Sequence, residues 1–313
     1  MTIQIYKASN TSALIKTDTI EKGCWVRIFE PTEAELQELH KSQNVPLDFL
    51  TDPLDLNEGS RIEKDEGLIL IIIRSPIQEE IDDEFFFETI PMGVILQDTT
   101  IYTICAKPIP LLAKYIKHGN QDITLHNKKT IILKLLQNSA LLILSYLKSI
   151  EKKHEYLEKK MARKKTNEDI IDLHNLKKSL VYFTAAIKGN ISVIDKLKRN
   201  QVLSLTEEEL ESIDDIWVDM NQALSLCETH TITIVNTLNT FSSLIGNELT
   251  NVMRLLAGVT VFLVVPTLLT SIYGMNGMEI PFAHNAHHIF LFSLFFLFTI
   301  LASLFILRKK KWI

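Results

Sequence analysis

A stripe of hydroxyl-bearing and small side chains runs along one apolar segment near the C-terminus. It comprises Thr250, Met253, Ala257, Thr260, Val264, Thr267, Ser271 and Gly274. The steps of three and four residues place them on one face of a helix. Oxygen atoms in such a row can contact the water shell of a cation, whereas small side chains also let two membrane helices pack closely. Composition alone leaves both interpretations open, with packing the commoner one.

Two apolar segments carry and follow this stripe. Residues 252–272 contain one charge, Arg254, and residues 289–307 contain none. About 20 apolar residues are enough for a helix to cross a bilayer. We therefore predict two transmembrane helices, joined by a loop over 273–288 and followed by a basic tail over 308–313. The loop has no Lys or Arg, so the tail and the large N-terminal part are predicted to be cytoplasmic.

Neither apolar segment contains an acidic residue. This argues against a site in which carboxylates bind a dehydrated ion. A cation that keeps several water molecules, as Mg²⁺ tends to do, suits a wall of hydroxyl, carbonyl and amide oxygens better.

The first apolar segment ends in Tyr273-Gly274-Met275-Asn276, and the chain ends in Lys309-Lys310-Lys311-Trp312-Ile313. With two C-terminal spans and a large charged domain before them, these residues resemble the signature of the CorA family of divalent-cation channels. The resemblance implies a funnel-shaped homopentamer in the plasma membrane. The first span would surround a pore, the second would face lipid, and both termini would be cytoplasmic.

The resemblance also assigns roles along the pore. Gly274 would let the backbone approach closely, Asn276 would offer its side-chain oxygen at the outer mouth, and Met275 would pack. Leu256 and Val264 would be apolar constrictions. The predicted selectivity and pore residues are Gly274, Met275, Asn276, Thr267, Ser271, Thr260, Thr250, Leu256 and Val264.

Two features depart from the family pattern at the inner mouth. Asn239 and Ser243 are neutral where some members carry an acidic ring. Thr250 stands where an Asn is often found, with Asn251 beside it. Both departures weaken what the resemblance implies for this end of the pore.

Carboxylates in the N-terminal part are candidates for a regulatory metal site. Asp52 and Asp55 follow a predicted short helix, and Asp214, Asp215 and Asp219 lie on a long one. In the family, an acid of the N-terminal domain and an acid of the long helix in the adjacent subunit bind Mg²⁺ and hold the channel closed. The resemblance assigns this pair to Asp52 and Asp215, although helix caps and surface charges explain such residues equally well.

Several functions remain open and others are excluded. The resemblance favours Mg²⁺ as both transported and regulatory ion, with Co²⁺ or Ni²⁺ as secondary ions. A Zn²⁺-transporting relative is the first alternative, although the retained Met275 favours Mg²⁺, and a membrane-anchored scaffold or sensor is the second. The sequence has no P-loop, nucleophile elbow or basic nucleic-acid face, so we expect no enzyme, organic cofactor or nucleic-acid partner.

The predicted fold class is an α+β cytoplasmic domain, with a mixed sheet and flanking helices, followed by a long stalk helix and the two spans. An α/β domain is expected over residues 1–129, a helical part over 130–205 and the stalk over 206–251. Capping boxes are predicted at Thr32 with Glu35 and at Thr206 with Glu209. No proline interrupts 206–265, which predicts one helix of about 100 Å through the first span.

Several short strands are predicted in the N-terminal part of the chain. Apolar runs predict strands at Ile3–Tyr6, Trp25–Phe29, Leu68–Ile73, Phe85–Ile90, Met92–Gln97 and Thr100–Cys105.

The cysteines, Cys24, Cys105 and Cys227, are odd in number and far apart in the sequence. This indicates reduced thiols rather than disulfides or metal ligands. In the predicted outer loop, Glu279 could attract cations, whereas His284, His287 and His288 are expected to be incidental.

Overall fold

The computed structural model describes residues 3–8, 14–81, 84–112, 127–163, 166–199, 202–274 and 288–309. The chain divides into two compact units, Met1–Leu238 and Asn239–Ile313. The first unit contains a sheet and several helices. The second contains the apolar part of the chain.

One mixed sheet organises the first unit. Its described strands are β1 (Ile3–Ala8), β2 (Leu14–Thr17), β3 (Cys24–Phe29), β4 (Arg61–Asp65), β5 (Leu68–Ile81), β6 (Glu84–Gln97) and β7 (Thr100–Cys105). They lie in the order β2-β1-β3-β7-β6-β5-β4. The β3–β7 pair is parallel and the other pairs are antiparallel.

The prediction of two strands at Phe85–Ile90 and Met92–Gln97 is wrong, because β6 runs unbroken through Pro91. Pro91 pairs with Arg74 of β5, and the pairing of β6 with β7 begins only at Met92. The missing N–H of Pro91 therefore falls where β6 has a neighbour on one side only, which is where a sheet tolerates proline.

Two short helices cover one face of the sheet. They are α1 (Glu33–Gln43) and α2 (Leu47–Thr51), and a 3-10 turn at Asp52–Leu54 follows. The predicted capping box is confirmed, since Thr32 and Glu35 bond each other's backbone N–H groups. The core between these helices and the sheet includes Val26, Ile28, Leu36, Leu39, Phe49, Leu50, Leu70, Ile72 and Ile104.

Two longer helices, α3 (Lys128–Arg163) and α4 (Asn167–Lys198), pack against β5 and β6. The basic residues over 159–163 continue α3 to its end. Lys160 Nζ lies 2.6 Å from Asp169 Oδ1 at the start of α4, so the basic residues here join two helices. Asn190 of α4 also accepts from the Arg74 N–H and donates to the Arg74 carbonyl, both at 2.9 Å.

Helix α5 (Glu207–Tyr273) is the longest described element, with 67 residues, and α6 (His288–Lys309) has 22. The predicted capping box at Thr206 and Glu209 is confirmed by backbone bonds of 3.0 and 3.3 Å. The predicted continuous helix through residue 265 is confirmed as well.

Among the described residues, two helices are long and apolar enough to cross a membrane, Lys128–Arg163 and the segment Glu207–Leu268. In the apolar 18-residue stretch of Lys128–Arg163, 50% of the residues are buried, whereas 6% are buried in the corresponding stretch of Glu207–Leu268. The first is therefore a core helix of the sheet-containing unit. The apolar stretch of the second is almost wholly exposed, as expected of a segment whose partners are lipid or other protein chains.

Candidate functional site

The predicted stripe lies on the exposed C-terminal part of α5. Thr250, Thr260, Thr267 and Ser271 are all exposed. Neighbouring apolar side chains are exposed too, for example Leu263 and Leu268 at 57% each. The stripe and the apolar face beside it are therefore both exposed. They differ in the chemistry of their side chains, hydroxyl-bearing and small on one face and large and apolar on the other.

The threonine hydroxyls of the stripe donate their hydrogen bonds to carbonyls of their own helix. Thr250, Thr260 and Thr267 donate to the carbonyls four residues earlier, at 2.8, 2.9 and 2.7 Å. Each hydroxyl has one proton and two lone pairs. The oxygens therefore face outward as hydrogen-bond acceptors, which is what the water molecules around a cation require.

The stripe ends where α5 ends. The Gly274 N–H lies 2.9 Å from the Thr270 carbonyl and 3.2 Å from that of Ser271, which closes the last turn. A Cβ at Gly274 would lie 3.4 Å from the Thr270 carbonyl oxygen, which is an ordinary van der Waals contact. The predicted selectivity residues Met275 and Asn276 lie outside the described residues, as do Glu279, His284 and His287.

The predicted constrictions, Leu256 and Val264, are 56% and 52% exposed in the single chain. Val264 is an apolar position within the hydroxyl stripe, and Leu256 lies beside the stripe. At the predicted inner mouth, Ser243 donates to the Asn239 carbonyl at 2.9 Å, so this hydroxyl also presents its oxygen outward.

Asp52 lies in a built polar cluster at the start of the 3-10 turn. Arg61 Nη2 is 2.6 Å from Asp52 Oδ2, and Arg61 Nε is 3.2 Å from Glu63 Oε2. The second guanidinium nitrogen, Nη1, pairs with Glu58 Oε1. Burial opposes the charge on Arg61, but bonds to Asp52 and Glu63 and the charge of Glu58 outweigh it and raise the Arg61 pKa.

Two contacts fix the loop that carries Asp52 and Glu58. A Cβ on Gly93 of β6 would lie 2.4 Å from Pro53 Cγ, so only glycine lets Pro53 sit against the sheet. Arg74 Nη1 donates to the Leu56 carbonyl at 3.0 Å and to the Glu58 carbonyl at 2.7 Å. Sequence reasoning missed Arg61, Arg74 and Gly93, and the signal available was the isolated glycine in an apolar strand.

Asp215 is exposed on α5, in a groove of about 480 Å³ between α3 and α5. The groove is lined by Asn127, Thr130, Leu133, Lys134, Gln137, Thr206, Glu208, Glu209, Ser212, Asp215 and Ile216. The neighbouring Asp214 pairs with Lys198 at 2.6 Å. Across the ranges that the structure describes, one chain has no group of three or more His, Cys, Asp or Glu side chains that could hold a metal.

The three cysteines are free and buried, in agreement with the prediction of reduced thiols. Burial raises the pKa of Cys105 and of Cys227 to about 12. Both thiols therefore stay protonated and poorly nucleophilic at neutral pH.

A family model described as CorA-like Mg²⁺ transporter protein matches residues 21–309. The chain belongs to this family. The resemblance predicted from the signature and the two spans is thereby confirmed. Because CorA-family proteins are transporters, the expectation that the chain is not an enzyme is confirmed as well.

Two relatives from one organism illustrate the match. The cobalt/magnesium transport protein CorA of Methanocaldococcus jannaschii is 28% identical over 295 residues, covering 92% of this chain and 91% of the relative. The complete structure of the CorA magnesium transporter from that organism matches with a TM-score of 0.84 at 24% identity, over 100% of this chain and 99% of the other. The predicted fold class, a mixed-sheet domain followed by long helices, is confirmed.

A more distant match is the ZntB cytoplasmic domain from Vibrio parahaemolyticus RIMD 2210633. It has a TM-score of 0.59 at 11% identity, over 78% of this chain and 96% of that domain. At this identity the likeness shows a shared fold only. The family match, rather than this likeness, makes the chain a CorA-family membrane transporter for divalent cations.

Proposed function

We propose that the chain forms a homopentameric channel that carries Mg²⁺ across the cell membrane into the cytoplasm, with both termini inside. The observation that carries this proposal is the stripe on α5, where threonine oxygens face outward because their protons are bound within the helix. One helix cannot enclose a pore, so copies of α5 would surround the pathway and α6 would face lipid.

The ion would pass with most of its water. Acceptor oxygens along the wall would receive hydrogen bonds from that water, and no carboxylate of either span would hold the ion tightly. Gly274 and Asn276 would form the outer selectivity ring, with Met275 packed behind it. Leu256 and Val264 would narrow the inner part. Co²⁺ and Ni²⁺ would be secondary ions.

Intracellular Mg²⁺ would regulate the channel through Asp52 and Asp215 of adjacent subunits. Carboxylate oxygens are the ligands that a hard divalent ion prefers, and both carboxylates are at least partly exposed. A bound ion would cancel their repulsion and stabilise the closed contact between subunits. Loss of the ion would release it.

The test is ion flux into liposomes that contain the full-length protein. We expect Mg²⁺ uptake to exceed that of Co²⁺, Ni²⁺ and Zn²⁺. Thr267→Val should lower Mg²⁺ uptake severalfold, because it replaces an acceptor oxygen by a methyl group, and Asn276→Ala should abolish it.

The matched control is Thr299→Val in α6, where Thr299 also donates to a carbonyl of its own helix, at 2.8 Å. This variant should transport normally. Preference for Zn²⁺ would favour the alternative ion, and normal flux in Thr267→Val and Asn276→Ala would contradict the pore assignment.

A further inference from the structure

Arg61 contacts three carboxylates at the proposed regulatory site. Its guanidinium is bonded to Asp52 at 2.6 Å, to Glu63 at 3.2 Å and to Glu58. A planar guanidinium can serve several acceptors at once from different nitrogens, and here each of the three nitrogens is used. The side chain of Arg61 is 30% exposed and that of Asp52 is 33% exposed, so solvent and ions reach the cluster.

The charge of this cluster is not balanced by Arg61. Three carboxylates and one guanidinium leave a formal charge of −2. The cluster therefore attracts a cation, while the positive charge of Arg61, held against Asp52, opposes the approach of one. An arginine guanidinium is always charged at physiological pH, so this opposition persists across that range.

The backbone around Arg61 holds this arrangement in place. Arg61 is the first residue of β4, the edge strand that pairs with β5. The loop that carries Asp52 and Glu58 is held by two contacts. Pro53 packs against Gly93, and Arg74 donates to the loop carbonyls. Asp52 and Arg61 are therefore presented to each other by separate, well-supported elements, as expected of a pair with a defined geometry.

We propose that Arg61 is a tethered competitor for the regulatory cation, which sets the Mg²⁺ concentration at which Asp52 binds it. This inference rests on the proposed function of Asp52. A divalent ion arriving at Asp52 must share the carboxylate with the guanidinium or displace it. Arg61 thereby weakens the site and keeps it responsive to changes at high ion concentrations.

The experiment measures the Mg²⁺ concentration that half-protects the full-length protein in detergent against limited proteolysis. We expect Arg61→Gln to lower this concentration at least threefold, because the cluster charge becomes −3 and the Asp52 oxygen is freed. Arg61→Lys keeps the charge but replaces three nitrogens in a planar fork by a single ammonium nitrogen, so it should hold Asp52 less firmly. Its value should lie between those of wild type and Arg61→Gln. Asp52→Asn should raise the concentration.

Competition is distinguished from simple destabilisation by a double variant. In the Asp52→Asn background, Arg61→Gln should have little further effect, since the competition is then already removed. Lys7→Gln is the matched control, because it removes an exposed ion pair, Lys7–Glu21, of the same unit. It should leave the half-protecting concentration unchanged.

The outcomes separate this inference from the proposed function. If Asp52→Asn leaves protection at the wild-type value, the proposed regulatory site is wrong. If Asp52→Asn responds but Arg61→Gln and Arg61→Lys show an unchanged or higher concentration, Asp52 stands and the competition by Arg61 is overturned. A fall in Arg61→Gln that persists undiminished in the double variant also overturns it.

Discussion

A buried histidine at the contact between α3 and α5 makes the stability of the fold depend on pH. His154 of α3 is buried, and its Nε2 lies 3.1 Å from Oγ1 of Thr237 on α5. Burial lowers the His154 pKa, and His230 on α5 acts in the same direction, while Glu158 and Glu155 on α3 oppose both. The contact between α3 and α5 thus favours a neutral imidazole.

This pKa shift predicts a loss of stability in mild acid. Because the folded pKa lies below that of the unfolded chain, the unfolded chain binds more protons as pH falls below about 6.5, and the free energy of unfolding decreases. We expect the melting temperature of full-length protein in detergent to fall more between pH 7 and pH 5.5 than that of His154→Gln. His174→Gln, at an exposed position of α4, is the control and should follow wild type.

The residues around Asp52 show the limit of sequence reasoning at this scale. Asp52 could be chosen from its motif. The register of β4, β5 and β6, however, decides that Arg61 reaches Asp52 and that Gly93 lies against the neighbouring Pro53. That register depends on pairings between residues distant in sequence. A capping box, in contrast, depends on residues three apart, so Thr32 and Thr206 could be assigned directly.

At the scale of elements, a buried carboxylate stabilises the junction of α3 and α4. Asp169 is fully buried, caps α4 through Thr166 and pairs with Lys160 of α3. Burial opposes its charge, but the bonds from Lys160 and Thr166 prevail and lower its pKa. A single carboxylate therefore closes the helix end and joins two helices.

Loss of this carboxylate should destabilise the first unit. We expect Asp169→Ala to lower the free energy of unfolding by about 1–3 kcal/mol, from the lost cap and the unpaired buried groups. Thermal or denaturant unfolding of the full-length protein measures it. Glu168→Ala, at the adjacent exposed position, should change stability little, and equal effects of both variants would contradict the assigned role.

Elements differed in how readily the sequence revealed them. Strand β7 and the long helices follow apolar runs or helical periodicity, and both signals are local. Strands β2 (Leu14–Thr17) and β4 (Arg61–Asp65) were missed because they are short, partly exposed and at least half polar. Such edge strands are stabilised by their neighbours rather than by their own composition.

At the scale of the whole molecule, the exposed apolar surface requires partners. Among the described residues of α5 and α6, Met253, Leu249 and Phe305 are 60%, 64% and 68% exposed. Surfaces of this kind are covered by lipid or by other copies of the chain. The sequence could indicate that surface, but the number of copies depends on contacts between chains.

The proposed pentamer makes a direct prediction. Chemical crosslinking of the full-length protein in detergent should give a ladder that ends at five subunits. Asp215→Ala should reduce the protection against proteolysis that millimolar Mg²⁺ gives, while leaving that ladder intact. A stable monomer would contradict the channel, and unchanged protection would contradict the role of Asp215.

Because Cys24, Cys105 and Cys227 are buried, they should contribute little signal in a thiol-labelling experiment on the folded protein. Maleimides and methanethiosulfonates should leave the folded wild type largely unmodified, so no native cysteine has to be removed first. A cysteine introduced at Thr267 or at Leu268 would then report by itself which side of the helix water reaches.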